Sequence, residues 1–596
     1  MKAYLKILVP VAIAAAVGCA SNQDSETDPV VKNKTSDTRQ STMHSGTIVK
    51  TGVLSESFGQ PNALEAASDD LPSKHVRMKL ERKHVADKPR KSFHMQSKLA
   101  SNQFLPTDIQ PHFYQDIGRE NYASIEQSAV KQVSLDPVST FSIDVDTGSY
   151  TNIRRMLNQG YLPPVDAVRV EEMINYFDYA YEVPSSQSEP FSIKTEVAQS
   201  PWSSDHILLQ VALKGYELIE EKRPAANLVF LLDVSGSMNS PQKLPLLKKS
   251  LIMLSKQLKS HDKVSIVVYA GASGVVLEPT PGNQTFEIEQ ALEKLTAGGA
   301  TNGHSGIQLA YQLAKKEYVP NGINRVILAT DGDFNVGTSD VESLKKLIGE
   351  KRKEGIALTT LGFGTGNYND ALMEQLADVG NGNYAYIDSL NEARKVLVEE
   401  LSSTLLTIAQ DVKIQIEFNP EIVKEYRLLG YENRALKRED FKNDKVDAGD
   451  IGAGHSVTAL YELVLKNNSS SRIDPLRYQQ KAKKEKKEKK EKKALRQNLA
   501  ELAFIKFRYK ELNATTSKLI SRPVHNPKHI SAFESASSDF RFSATVAEFG
   551  EVLRQSKYIE TVDYNAMIKH ALDAKGADPF GYRSEFIQLL RLASTL

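Results

Sequence analysis

Asp233, Ser235 and Ser237 lie within the stretch Asn227–Met238, which reads NLVFLLDVSGSM. Leu228 to Leu232 form an unbroken apolar run, as expected of a central strand in a parallel sheet with both faces buried. The run stops on Asp233, and Ser235, Gly236 and Ser237 follow at once. One carboxylate and two hydroxyls therefore fall on a tight loop at the carboxyl edge of a sheet, the edge at which open α/β sheets bind ligands. Such a loop is suited to holding a divalent cation, with the other regions of the chain presenting, supporting or tethering it.

The elements needed to position that loop can be read on either side of it. Between about 225 and 405 apolar runs alternate with amphipathic periods. Strands are expected at Leu228–Asp233, Lys263–Tyr269, Val275–Leu277, Arg325–Asp331, Ala357–Phe363 and Asn383–Tyr386. Helices are expected at Lys243–Lys259, Phe286–Leu295, His304–Lys316, Val341–Glu354, Asp370–Leu376 and Leu390–Leu401. This alternation predicts an α/β fold, a doubly wound and mostly parallel sheet with helices on both faces. Three loops at strand ends carry the polar residues: Asp233 to Ser237, Gly298 to Gly303, and Thr330 to Asp333.

DVSGSM, GGATNG and TDGDFN, in this order and spacing, resemble the metal-ion-dependent adhesion site of von Willebrand factor type A domains. The resemblance implies that Asp233, Ser235 and Ser237 supply the first set of ligands, Thr301 a hydroxyl from the second loop and Asp331 a carboxylate from the third. Mg²⁺ takes six oxygens in near-octahedral geometry, so this all-oxygen set suits it, with Mn²⁺ or Ca²⁺ as alternatives, and does not suit zinc. Three neutral hydroxyls leave the cation electron-poor. A protein partner presenting an acidic side chain is thus the expected sixth ligand, with Asp333 outside the inner set.

Other motifs compete with this reading. Asp146-Thr147-Gly148 matches the aspartic protease motif, but no second Asp-Thr-Gly or Asp-Ser-Gly exists to share a proton with it. Asp144, Asp146 and Ser149 are instead expected at the end of a half-buried strand, Phe141 to Val145, capped by Asp and Thr. Gly362, Gly364 and Gly366 alternate and so lack the GxGxxG spacing, which makes a rim beside the cation more fitting than a nucleotide loop. A metal-dependent hydrolase would need a base, for which His304 is the one candidate. A chelatase-type accessory subunit would work beside an ATPase, and no GxxxxGK[ST] motif is present. Binding is therefore expected rather than catalysis.

At 596 residues the chain needs several cores. Its composition, 40% hydrophobic and 25% charged, is globular, and the net charge of +1 offers no general attraction to nucleic acid. Lys481–Lys493 is an exception, with nine lysines and three glutamates, and is read as a solvated insertion. Strand-like runs at Ile193–Ala198, Ile207–Leu213, Val412–Phe418, Val423–Leu429, His455–Leu465 and Phe504–Tyr509 predict a β-sandwich into which the α/β domain is inserted. Trp202 is expected as a packing anchor. Helices are expected at Asn152–Gln159, Val168–Phe177, Ala544–Arg554, Tyr564–Leu572 and Ser584–Leu592. FSIDVDTGSYTNIRRML and HSVTALYEL extend the resemblance to bacterial von Willebrand A lipoproteins with their own flanking regions.

The sole cysteine, Cys19, follows a positive start (Lys2, Lys6), an apolar core (Ile7–Val17) and small residues. This resembles a bacterial lipoprotein signal, in which Cys19 would carry the lipid. Ala20 then implies sorting to the outer membrane, periplasmic or surface facing. Residues 20–108 are polar and aperiodic, as expected of a disordered tether. The expected plan is a signal at 1–19, a tether at 20–108, an N-terminal flank at 109–224, the von Willebrand A domain at 225–405 and a C-terminal β-rich and helical region at 406–596. The expected function is a cell-envelope adhesion or scaffold protein anchored to the membrane by its N-terminal lipid, with no nucleotide or nucleic acid among its ligands.

Overall fold

The computed structural model describes residues 120–596, apart from 186–187, 219–221, 302, 333–337, 469–470, 475–499 and 513. The expected signal with Cys19, the tether, Asn302, Asp333 and Lys481–Lys493 lie outside the described residues. Among the described residues no helix is long and apolar enough to cross a membrane.

Before the central sheet come β1 (Lys131–Gln132), β2 (Val138–Ser142), α1 (Gly148–Asn158), α2 (Val170–Asn175), β3 (Phe191–Gln199) and β4 (Ile207–Gly215). The central region contains β5 (Ala226–Asp233), α3 (Leu244–Ser255), β6 (Lys263–Tyr269), β7 (Ser273–Pro281), α4 (Thr285–Glu293) and α5 (Gly303–Lys316). It continues with β8 (Ile323–Thr330), α6 (Thr338–Lys353), β9 (Ala357–Phe363), α7 (Asp370–Val379), β10 (Tyr384–Ile387), α8 (Leu390–Arg394) and α9 (Leu401–Leu405). Strands β11 (Thr407–Phe418), β12 (Val423–Leu429), β13 (Ile451–Gly452), β14 (Ser456–Leu465), β15 (Glu501–Lys510) and β16 (Lys518–His525) follow, and then helices Ser538–Leu553, Tyr564–Asp573 and Tyr582–Ala593.

The central sheet has the order β10-β9-β8-β5-β6-β7, parallel throughout except for the antiparallel edge strand β7. Residues 228–232 of β5 have no exposed surface. Leu228, Phe230 and Leu232 face a core shared with α3 and α4, while Val229 and Leu231 face one shared with α5 and α6. Each such side chain contributes about 1.5–3 kcal/mol on leaving water, so the unbroken apolar run of β5 is what two covered faces require.

Strands from before and after this region pair with each other. One antiparallel sheet runs β1-β12-β14-β4-β3, and a second runs β13-β11-β15-β16 with β2 also paired to β11. Their facing side chains, among them Leu209, Val211, Ile414, Ile416, Tyr461 and Phe507, form one core. The α/β region is therefore an insertion between β4 and β11, which sit in different sheets of a sandwich. The other face of the first sheet is covered by α1, α2 and the three last helices, around Tyr176, Phe177, Phe540 and Phe586.

Several expectations need correcting. The helix expected over Leu390–Leu401 is broken into α8, a π-helical turn at Lys395–Glu399 and α9. The strand expected at Phe141–Val145 lies at Val138–Ser142 and is buried at all five positions rather than half-buried. Of the expected caps, Asp144 Oδ1 accepts the backbone N–H of Asp146 at 3.0 Å, while Thr147, the N-cap of α1, makes no side-chain cap hydrogen bond. Asp144 and Asp146 also pair with Arg434, at 3.0 and 3.3 Å, and Asp146 Oδ1 accepts the backbone N–H of Tyr384 in β10 at 2.8 Å. The protease-like motif is thus a joint between the central sheet and its flanks. Arg169 strengthens the same joint through Glu172 and Asp370, and Arg154 through Asp388, Glu392 and Glu585. Trp202 packs against the helical core and donates its Nε1 hydrogen to Glu462 at 3.0 Å.

Candidate metal centre

Strands β5 and β8 are parallel neighbours, with Leu232 opposite Ala329, so Asp233 and Asp331 emerge side by side at one sheet edge. Both are buried. Asp233 Oδ1 accepts the backbone N–H of Ser235 at 2.8 Å, and Oδ2 accepts hydroxyls from Thr330 (2.9 Å) and Tyr269 (3.2 Å). These bonds fix the carboxylate while the chain turns after it. Ser235 Oγ and Ser237 Oγ are 3.0 Å apart, with Ser235 buried and Ser237 exposed. The first loop is joined to the second by Gly298 N–H to Val234 O (2.8 Å) and Gly236 N–H to Gly299 O (3.0 Å). Thr301 follows two residues later and is half-buried, and among the described residues it makes no hydrogen bond to the other four.

Burial pushes the Asp233 carboxyl above its ordinary range and the charge of Asp331 adds to this, while hydrogen bonds from Ser235 and Thr330 oppose it. Two buried carboxylates thus share one small space. The cation visible there is Lys243, whose Nζ donates to Asp331 Oδ2 at 2.7 Å. Among the described residues two carboxylates meet one ammonium here, a negative setting that a hard cation fits. Among the described residues no three His, Cys, Asp or Glu side chains converge as a metal-binding group. Any cation here would depend on the hydroxyls of Ser235, Ser237 and Thr301 as much as on carboxylates, an all-oxygen chemistry that fits Mg²⁺.

The loop from β9 to α7 forms the adjoining rim. Lys243 packs its stem against Gly364 and reaches Asn367 Oδ1 at 3.5 Å. From the other side, Glu120 Oε1 accepts Gly366 N–H at 3.2 Å, and Asn121 N–H donates to Tyr368 O at 2.9 Å. The other oxygen of Glu120 is paired with Arg155 at 2.7 Å. Glu120 and Asn121, the first described residues, therefore lie beside this edge.

Three family models match the chain. The von Willebrand factor type A domain covers residues 227–400, a von Willebrand factor model covers 116–210, and the model described as Uncharacterized protein YfbK, C-terminal, covers 403–596. The Escherichia coli (strain K12) protein named Uncharacterized protein YfbK is 46% identical over 482 residues, 80% of this chain and 81% of that one. The chain belongs to the YfbK family. Beyond that family the likeness shrinks to parts. Synechocystis protein sll0103 is 29% identical, over 36% of this chain and 50% of its own length. Inter-alpha-trypsin inhibitor heavy chain H3 of Pongo abelii is 26% identical, over 40% of this chain and 29% of its own. Among solved structures, BatB from Bacteroides thetaiotaomicron is 24% identical with a TM-score of 0.25, covering 30% of this chain and 98% of that one. The von Willebrand factor type A protein from Catenulispora acidiphila is 14% identical with a TM-score of 0.36, covering 69% and 92%.

The YfbK-family chain thus has a von Willebrand A domain at its centre and the YfbK C-terminal domain after it. Its site includes participants that sequence reasoning missed. Thr330 and Tyr269 end the strands flanking Asp233 and could have been noticed as strand-end hydroxyls. Lys243, eight residues after Ser235, reads in sequence only as the start of a helix. His304, the candidate base, has its Nε2 3.0 Å from Gln308 Nε2 on the same helix.

Proposed function

We propose that this protein captures protein partners at the carboxyl edge of its von Willebrand A sheet, through a divalent cation held by Asp233, Ser235, Ser237, Thr301 and Asp331. Mg²⁺ is the preferred ion and Mn²⁺ or Ca²⁺ the alternatives. The observation that carries the reading is the pair of buried carboxylates at the ends of β5 and β8, with Ser235 bonded to Asp233, Ser237 beside Ser235, and the Lys243 ammonium on Asp331. The bound cation supplies a Lewis-acidic position that a partner's Asp or Glu completes. The chain's own residues orient it: Thr330 and Tyr269 hold Asp233, and the Gly298 and Gly236 backbone bonds hold the two loops together. In the cell the protein acts as an envelope adhesion or scaffold protein, anchored to the outer membrane through lipidated Cys19.

The test is calorimetric titration of Mg²⁺ into wild type, Asp233→Ala and Asp331→Ala, with pull-downs from envelope extract in Mg²⁺ and in chelator. Saturable Mg²⁺ binding and metal-dependent capture, both lost in the variants, support the reading. A wild-type protein that binds no divalent ion defeats it. Lipid attachment is read separately, by mass spectrometry of the mature N-terminus and by membrane release of Cys19→Ser.

A further inference from the structure

The ammonium of Lys243 is built into the site rather than swung over it. Its residue is only 7% exposed, and its backbone is fixed as the N-cap of α3, with its carbonyl accepting the Leu247 N–H at 2.8 Å. Its stem lies on Gly364, where φ is +75° and a β-carbon would collide with it. At its tip Nζ is bound to Asp331 Oδ2 at 2.7 Å, with Asn367 Oδ1 at 3.5 Å. Glu120 and Arg155, on the far side of the rim loop, neutralise each other. Lys243 is thus the cation seen bonded to the carboxylates of this edge among the described residues.

Charge then decides the consequence. Whatever the total, Lys243 raises the charge of the loaded centre by one, and this added positive charge favours a carboxylate from a partner over a neutral ligand. The same ammonium opposes the arriving cation, since like charges a few ångströms apart repel strongly where water is excluded. We infer that Lys243 is the selectivity residue of this site: it weakens the hold on the divalent cation and makes the loaded site select an anionic partner. This rests on the metal reading of the preceding subsection and adds to it the origin of ligand preference. A purely orienting lysine would do the opposite, because its removal would free Asp331 to wander and lower metal affinity.

The experiment uses the full chain, with Mn²⁺ as the metal probe and N-acetyl-aspartate methylamide as the carboxylate probe. Water-proton relaxation reports both Mn²⁺ binding and displacement of its water. Lys243→Met deletes the charge, Lys243→Gln deletes it but keeps a donor for Asp331, and Lys243→Arg keeps it. The neutral variants are expected to bind Mn²⁺ about tenfold or more tighter, and the carboxylate about tenfold weaker, than wild type, with Lys243→Arg close to wild type. Melting curves in chelator identify any variant that fails to fold, and the remaining neutral variant then decides. Unchanged or weaker Mn²⁺ binding by a folded neutral variant, or an unchanged carboxylate affinity, overturns the inference and leaves the metal site standing. If neither wild type nor the neutral variants bind Mn²⁺, the metal reading itself falls and takes this inference with it.

Discussion

Arg434→Met tests whether the joint between the central sheet and the sandwich carries stability. Arg434 pairs with Asp144 at 3.0 Å, Asp146 at 3.3 Å and Asp378 at 2.7 Å. The side chain of Asp378 is 40% exposed, so its pair counts as a surface pair worth at most about 1 kcal/mol. Asp144 and Asp146 are 2% and 4% exposed, and removing their cation leaves buried carboxylates unbalanced. Breaking one side of a buried pair costs about 3–5 kcal/mol, which is a large fraction of a domain's total of about 5–15 kcal/mol. The assay is urea denaturation followed at two places. Trp202, the one tryptophan, reports on the flanking body, and far-UV circular dichroism reports on the helices of the whole chain. The variant's midpoint should fall, and the two signals should separate as the central domain loses its joint. Acid should narrow the deficit. Burial and the Asp144 charge hold the Asp146 carboxyl well above its ordinary range, with Arg434 opposing them. A carboxyl raised in the fold costs stability as pH climbs through its folded value and ceases to cost it below its unfolded one. A loss under about 1 kcal/mol, or a deficit constant with pH, would refute the reasoning.

Other outcomes can be checked alongside. Mg²⁺ at a hundred times its dissociation constant should stabilise wild type by about 2.7 kcal/mol and Asp233→Ala not at all, as read by thermal melting with and without chelator. Glu548, pushed up to about 8 by burial with Asp563 adding to it, has an Oε2 without a hydrogen-bond partner among the described residues. Its stabilising effect is therefore present below its unfolded value and lost as pH rises through about 8. Glu548→Gln should then match wild type near pH 4 and exceed it by up to about 3 kcal/mol at pH 7, by chemical denaturation at each pH. Gly332 has φ of +84° and its α-carbon faces the backbone of Asn369, so Gly332→Ala should lower the melting temperature and weaken metal binding together. An alanine variant with both properties intact would show that the third loop is not tightly held.

The central sheet was legible because its strands announce themselves by apolar runs, which in β5 and β8 stop on Asp233 and Thr330. The β6 and β9 ranges, Lys263–Tyr269 and Ala357–Phe363, follow directly from such runs. The break after Arg394 was not legible: apolar spacing continues through Val396, Leu397 and Leu401, and a π-helical turn leaves that spacing nearly unchanged. The strand at Val138–Ser142 was misplaced because its partner, β11, lies hundreds of positions further along the chain, and its register is set by that pairing. Of the candidate site, the two acidic loop positions were readable from sequence order alone. Lys243 was not, because only folding brings it to Asp331. The same holds for Asp144 and Asp146, whose role depends on Arg434 arriving from the far side of the insertion.

The small pairing of Glu120 and Asn121 with the loop between β9 and α7 has a mechanical meaning. Glu120 and Asn121 bond directly to Gly366 and Tyr368, and Glu120 also to Arg155, so a displacement of this backbone is felt at once in that loop. That loop also holds the stem of Lys243, and through it Asp331. A displacement at Glu120 and Asn121 and a change at Lys243 are thus carried by one short stretch of backbone.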